Sequence, residues 1–457
     1  MEAFCPISDQ FSDQIASLLN PPPPLQVQVY FDELTATRQC DGLKVKPNGE
    51  YGKGVYAEKN FKEGDLVLKD KMLVGAQHSS NKIDCLVCSY CFRFIGSIEL
   101  QIGRKLYWRD LGVSTDECER KEFLHIQRDC YNSDPSDEED YSDAEDRKDI
   151  GGYSSSSSKS KISIPKDVIE SLMNGDLRLP YSEEFPLPST VSCPGGCKEA
   201  YYCRKQMIFS SLAAKVISFT ILRYRKFKED WLSGKGKYDT SGKCDFSFLL
   251  EAWKPVSMGY KKRWWDCIAL PDDVHHSDEA AFRLQIKELA NKSLQRLKAA
   301  IFDQECKPLF SLEIYGHIIG MFELNNLDLV VESPLENYFL HIDDLPSSEK
   351  REAEQITRPL LDALGDDYSI CCQGTAFFPL QSCMNHSCEP NAKAFKREED
   401  LDGQATIIAL QPIQKGEEIT ISYIDEDLPV EERQASLADY GFRCRCPRCL
   451  EEEQLKA

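Results

Sequence analysis

The sequence predicts an α+β protein in which short β-strands towards the two ends enclose a cysteine-rich stretch and a mainly helical middle. Three observations carry that expectation. From Gly42 to Lys69, and again over residues 406–410 and 418–423, short apolar runs alternate with turn residues, which is the strand pattern. Between about 206 and 365 the apolar residues recur at helical spacing, as in Leu212, Val216, Phe219, Ile221 and Leu222, and in Phe282, Ile286, Leu289, Leu297 and Ile301. Cysteines bunch at Cys85, Cys88 and Cys91, at Cys193, Cys197 and Cys203, and at Cys444, Cys446 and Cys449.

Taken in order, residues 1–26 read as an acidic leader ending in a stiff proline linker at 21–24. Residues 27–75 are strand-like, with runs such as Gly54-Val55-Tyr56-Ala57. Residues 76–205 hold the first two cysteine groups. Within them, 131–163 is expected to be disordered: eight acids and no base lie between Asp134 and Asp146, and five serines follow at 154–158. Such a segment buries too little apolar surface to offset chain entropy. Residues 206–365 are the helical insert. Residues 366–430 return to strands, with a turn at Lys415-Gly416, and 431–457 carry the last cysteines.

Composition excludes several classes. The 457 residues carry 55 bases and 76 acids, a net charge of −21, with 41% hydrophobic and 29% charged residues, so a collagen-like or wholly disordered chain is out. No stretch approaches the roughly 18 to 20 apolar residues of a membrane span. The first residues, MEAFCPISDQFSDQ, lack the basic start and long apolar run of a secretory signal. In a reducing compartment, closely spaced cysteines point to metal rather than to disulfides. Overall acidity argues against a nucleic-acid clamp and suits a basic protein partner.

The C-terminal group is the sharpest signal. Cys444, Cys446 and Cys449 form C-x-C-x2-C, three thiolates within six residues. Tetrahedral zinc needs a fourth ligand, and Cys388 in the run Asn385-His386-Ser387-Cys388-Glu389-Pro390-Asn391 is the candidate.

These residues carry a resemblance. The run Asn385 to Asn391, then Gly416-Glu417-Glu418-Ile419-Thr420-Ile421-Ser422-Tyr423, then Tyr440-Gly441-Phe442 with Cys444, Cys446 and Cys449, resembles a SET domain with its post-SET zinc loop. Upstream, Tyr51-Gly52-Lys53-Gly54-Val55-Tyr56-Ala57 is similar to the glycine turn that opens that domain. A cysteine finger standing between the glycine turn and the Asn-His-Ser-Cys run is the SMYD arrangement. The plant trithorax-related SET proteins of this organisation are resembled most, over about residues 28 to 450.

The resemblance implies S-adenosyl-L-methionine-dependent methylation of protein lysines on small twisted sheets closed by a pseudoknot, with 27–75 and 366–430 as the two parts of the SET domain. Tyr423 and Tyr440 match the catalytic channel tyrosines. Gly52, Lys53, Gly54, Asn385, His386, Tyr423 and Phe442 match the cofactor site. Cys388, Cys444, Cys446 and Cys449 match a structural zinc site. The chemistry agrees with those roles: lysine attacks the methyl group as a neutral amine, although free lysine has a pKa of about 10.4. A narrow aromatic channel beside a cationic sulfonium disfavours the ammonium form.

Residues 76–205 resemble a degenerate MYND-type finger. Cys85 and Cys88 stand for the first ligand pair, Cys193 and Cys197 for the second, and Cys203 opens a third whose partner position holds Met207. Five matched ligands cannot close two tetrahedral zinc sites, and Cys91, Cys118, His125 and Cys130 are the candidate substitutes. The expected partners are histone tails or another basic protein substrate and transcription factors, with no nucleic-acid specificity and no membrane. The expected location is the nucleus, with the cytoplasm as the alternative. The competing reading is a SET-fold chromatin adaptor of weak or lost activity with a damaged finger. A thiol-redox role is disfavoured, since no C-x2-C opens a helix in a βαβ unit.

Overall fold

In the computed structural model of the chain, which describes residues 6–48, 52–112, 163–192, 201–203, 212–234, 245–259, 262–271, 274–395 and 400–455, short strands form small sheets and most of the helices gather into two cores. Helices α1 (Pro6–Gln10), α2 (Ser12–Leu19) and α3 (Pro24–Thr37) come first. Strands β1 (Leu43–Asn48), β2 (Gly52–Ala57), β3 (Leu66–Asp70) and β4 (Val74–Gln77) follow, then α4 (Ile98–Asp110), α5 (Lys166–Asn174), and the short β5 (Val191–Ser192) and β6 (Tyr201–Tyr202). The middle contains α6 (Leu212–Leu232), α7 (Asp245–Ser257), α8 (Trp264–Cys267), α9 (Glu279–Ile301), α10 (Leu312–Asn325), β7 (Asn326–Val331), α11 (Pro334–Asp344) and α12 (Ser347–Leu364). The chain closes with β8 (Cys372–Phe377), β9 (Asn385–His386), β10 (Ala392–Ala394), β11 (Ala405–Ala409), β12 (Glu418–Ile421), α13 (Val430–Tyr440) and α14 (Pro447–Gln454).

The strands form three main sheets, ordered β1-β2-β12-β9, β10-β11-β3 and β4-β8-β7, with β5 and β6 as a separate pair. All pairings are antiparallel except β12 with β9. In β1 the alternation that marks a strand is plain: Leu43 and Val45 are buried while Lys44 and Lys46 face outward. The expected strands near the end of the chain are β11 and β12, and a Gly416 at φ +91° makes the turn between them.

Two departures from the sequence expectation concern the N-terminus. The stretch from Val27, expected as strand, is the helix α3. Pro24 occupies its first turn, where a missing N–H costs nothing. Val27, Tyr30, Phe31 and Leu34 then fall on one face and pack on the sheet core around Val55, Ile419 and Ile421. The leader is also not a detached segment. Ile15 and Leu18 of α2 are buried in the helical core, and the Trp253 indole N–H donates to the Leu18 carbonyl at 2.9 Å.

The helical insert divides between two cores. Helices α6, α7, α9 and α10 build one with Trp253, Trp265 and Phe310. The other takes Leu335, Tyr338 and Ile342 of α11 and Leu360 and Leu364 of α12, packed on Ile98, Ile102 and Leu106 of α4. Between them runs β7, a strand that periodicity did not signal, paired along its whole length with β8 from Asn326↔Phe377 to Val331↔Cys372. Within α10, Gly320 lies so near the Lys262 carbonyl that a Cβ there would overlap it. The acidic, serine-rich loop expected over 131–163 lies outside the described residues apart from Ser163.

Candidate active site and cysteine clusters

The site is built where β9 runs parallel beside β12, with Asn385 opposite Thr420 and His386 opposite Ile421. Two residues of the same run lock this crossing. The Asn391 amide donates to the Glu418 carbonyl at 2.8 Å and its oxygen accepts from the Thr420 N–H at 2.9 Å, while the Ser387 N–H reaches the Ile421 carbonyl at 3.0 Å. An ion pair between Arg38 and the fully buried Asp70 supports the crossing from behind. The second Asp70 oxygen accepts the Leu380 and Gln381 N–H groups at 2.7 and 2.9 Å, in the turn that leads into β9.

Asn385 is held by β2 and β12 together. Its amide donates to the Lys53 carbonyl at 2.9 Å and to Glu418 Oε1 at 2.7 Å. Gly54 makes that possible, because a Cβ at this position would overlap Glu418 Oε1 and meet the Tyr56 ring at 3.1 Å. Gly52 sits at φ +83°, a backbone state that side chains disfavour. The Lys53 ammonium turns onto the Met258 carbonyl and lies 5.5 Å from the centre of the Phe31 ring. Tyr51 lies outside the described residues.

Tyr423 stands just past the end of β12, and its hydroxyl donates to the Met384 carbonyl at 2.5 Å. Around it lie the rings of Tyr440 at 5.3 Å, His386 at 5.4 Å and Phe442 at 6.3 Å. Tyr440 ends α13, whose cap Gly441 has φ +85° and turns the chain so that Phe442 comes within 5.9 Å of the His386 ring. Burial pushes the Tyr423 hydroxyl well above the ordinary tyrosine range, with Cys383, Tyr440 and Glu418 adding to it, and burial raises Tyr440 as well. Both phenols are therefore neutral donors or acceptors at physiological pH. Burial, then the Arg433 charge, pushes His386 down to about 4, so the imidazole is neutral.

Cys388, Cys444, Cys446 and Cys449 converge: their four sulfurs all lie within 4.8 Å of one another. A tetrahedral ion bound at about 2.3 Å to four sulfurs holds them about 3.8 Å apart, so the donor set fits a thiolate-bound metal ion. Gln434 fastens this tail by donating to the Cys444 carbonyl at 2.9 Å and accepting its N–H at 3.0 Å. Arg448 donates to the Cys388 carbonyl at 3.2 Å and to that of Glu426 at 2.9 Å.

The second cluster differs from the expected pairing. Cys88, Cys91 and Cys203 lie within 4.8 Å of one another, with Cys91 and Cys203 sulfurs 3.7 Å apart. The Cys91 thiol, together with the backbone N–H groups of Cys91, Cys203 and Tyr90, holds Cys88 below the ordinary thiol range. Cys85 is not with them. It is buried in an apolar cluster, its thiol donates to the Ile370 carbonyl at 3.5 Å, and burial pushes it up to about 12. Among the described cysteines, the C-x2-C spacing that the fold brings together with Cys203 is Cys88 and Cys91, and Cys85 lies apart from that group. Cys193, Cys197, Met207, Cys118, His125 and Cys130 lie outside the described residues.

Sequence reasoning passed over Glu418 and Arg433. Glu418 was readable as part of its motif but not as the acceptor for Asn385. Arg433 sits in a Glu-rich helical stretch that looks solvent-facing, and nothing in the sequence marks it as buried.

Comparison with known proteins agrees with this geometry. The chain matches the SET domain family over residues 52–424. It is 56% identical over 489 residues, covering 99% of both chains, to the histone-lysine N-methyltransferase ATXR2 of Arabidopsis thaliana. It is 30% identical over 189 residues to the protein-lysine N-trimethyltransferase SMYD5 of Mus musculus, covering 39% of this chain and 43% of that protein. To the histone-lysine N-methyltransferase ASHR1 of Arabidopsis thaliana it is 36% identical over 178 residues, 36% of this chain and 34% of the relative.

Proposed function

Because the chain belongs to the SET-domain family, we propose that it is a protein-lysine N-methyltransferase acting on histone tails or similarly basic protein segments. The observation that carries this reading is the placement of Tyr423: a neutral hydroxyl at the end of the β9–β12 crossing, ringed by Tyr440, His386 and Phe442. S-adenosylmethionine, when bound, supplies an electrophilic methyl group on a cationic sulfonium.

The chain's own residues do the rest. Gly52, Lys53, Gly54, Asn385, His386 and Phe442 would hold that cofactor. Tyr423 and Tyr440 would wall the lysine channel, and desolvation between their rings favours the neutral amine over the ammonium. The Tyr423 hydroxyl, fixed by the Met384 carbonyl, orients the lysine nitrogen for in-line attack, and such positioning converts an encounter into a near-attack geometry. A net charge of −21 suits a basic substrate.

The C-terminal cysteines would hold a closed structural zinc that folds the tail over the channel. The Cys88, Cys91 and Cys203 group supplies three thiols of a second site in the finger region, where transcription-factor partners would dock. With histone tails as substrate, the protein would act in the nucleus. No helix among the described residues is long and apolar enough to cross a membrane.

The test is transfer of tritium from labelled S-adenosylmethionine to core histones, with Tyr423→Phe alongside. Label on a histone that the variant abolishes is the expected result. Cofactor binding by calorimetry without transfer to any histone or basic protein would replace the enzyme by a SET-fold adaptor.

A further inference from the structure

On the reading that Cys388, Cys444, Cys446 and Cys449 hold zinc, four thiolates on a divalent ion leave two negative charges in a site whose cysteines, Cys446 apart, are buried. A buried charge without a partner is costly, so the fold should place a cation beside it. Arg433, in the first turn of α13, is that cation. It is 1% exposed, and its Nη2 lies 3.7 Å from the Cys449 sulfur and 2.8 Å from Glu452 Oε2. Its Nη1 donates to the Leu428 carbonyl at 2.6 Å. The Nε is buried with no hydrogen-bond partner.

An arginine serving only to tie helices would spend its fork on carbonyl and carboxylate oxygens. Arg433 instead gives part of it to sulfur and leaves Nε unmatched, and Glu452 alone cannot account for a guanidinium so deeply buried. Its position also matters for the channel. Arg433 lies two turns before Tyr440 on the same helix, so whatever holds it against the cluster also holds the helix that delivers Tyr440 and Phe442.

We propose that Arg433 is a positioning residue for the C-terminal metal site: its guanidinium balances the thiolate charge, raises the retention of zinc, and pins α13 to the cluster. This rests on the zinc reading of the four cysteines, and the experiment separates the two. Zinc content and its withdrawal by a chromophoric chelator are measured on the full chain and on variants, with Cys444→Ser identifying the zinc equivalent that belongs to this site.

Arg433→Met is expected to hold that zinc about 10- to 100-fold more weakly, while Arg433→Lys, which keeps the charge, recovers a large part. Glu452→Gln, which removes the oxygen tie but leaves the cation, is expected to stay within about threefold of the parent, below the loss seen for second-shell partners. Cobalt(II) loaded into Arg433→Met should keep the absorption of a four-sulfur site.

Parent-like retention in Arg433→Met overturns the proposal. So does a Glu452→Gln loss equal to that of Arg433→Met, since Arg433 would then be a mechanical tie. Should Arg433→Met fail to fold, Arg433→Lys decides: zinc loss as complete as in Cys444→Ser excludes a charge role. A Cys444→Ser protein with the parent's full zinc content would instead remove the zinc reading itself, and this inference with it.

Discussion

His386 stands between Cys388 and Tyr423: its Nδ1 accepts the Tyr423 N–H at 3.1 Å, and its Nε2 lies 3.2 Å from the Cys388 sulfur. An Nδ1 that accepts from a backbone N–H carries no proton, so in the neutral ring Nε2–H donates to the sulfur. The cysteine cluster and the backbone of the channel tyrosine are thereby joined through one imidazole. Disturbing the cluster should therefore reach the proposed cofactor site. Chelation of metal, or Cys388→Ser, is expected to weaken S-adenosylmethionine binding by about tenfold or more, read by calorimetry.

Tyr423→Phe removes the one hydroxyl aimed at the Met384 carbonyl while leaving the ring in place. Turnover should fall about 100-fold, the scale of a small loss of reactant alignment. Cofactor affinity should stay near that of the parent. A steady-state comparison of kcat with a binding titration checks both halves.

Gly54→Ala places a methyl group against Glu418 Oε1, the acceptor of the Asn385 amide. Glu418 must move, and Asn385 is left on the Lys53 carbonyl alone. The expected result is cofactor affinity reduced about tenfold, equal to about 1.4 kcal/mol, with thermal stability changed far less.

Arg38→Met leaves Asp70 charged and fully buried. Removing one partner of a buried pair costs about 3 to 5 kcal/mol, and here the loosened carboxylate also holds the turn before β9. Denaturant unfolding should show the loss. Replacing both partners with apolar residues should cost less than the single change.

Alkaline pH should destabilise the fold. Burial pushes Tyr30 and Cys306 up to about 12 and Cys267 up to about 11, so the folded chain keeps protons that the unfolded chain releases near pH 8.5 for thiols and 10 for phenols. Their contribution is fully present below about pH 8.5 and is lost as pH rises towards 12. Lys215, pushed down to about 8 by burial, works in the opposite sense between about 8 and 10.4. The several buried thiols and phenols outweigh it, and denaturant midpoints measured across this range should fall.

Much of the architecture was legible because it obeys local rules. Alternation announced β1, β11 and β12, the Lys415-Gly416 turn stood between strands, and the 3.6-residue period announced α6 and α9. Where local rules failed, a partner distant in sequence had decided. Val27 to Thr37 reads as β-prone, yet it is a helix because its apolar face is needed against Val55 and Ile419. Residues 326–331 alternate Asn-Leu-Asp-Leu over too few positions to stand out from the helical stretch around them, yet they are a strand because β8 offers an edge to pair with.

The sequence by itself determined the chemistry-bearing residue types and their order: the Asn-His-Ser-Cys run, the tyrosine after β12, and the C-x-C-x2-C tail. Only the tertiary structure decided which of them meet. It set Cys85 apart from Cys88, brought Cys91 and Cys203 beside Cys88, brought Cys388 to thiols some 60 residues away, and turned Arg433 inward among acidic neighbours. Spacing in sequence constrains ligands within one turn or knuckle. Burial, charge balance and the partner of each polar atom are set by segments hundreds of residues apart, and those appear only once the chain has closed on itself.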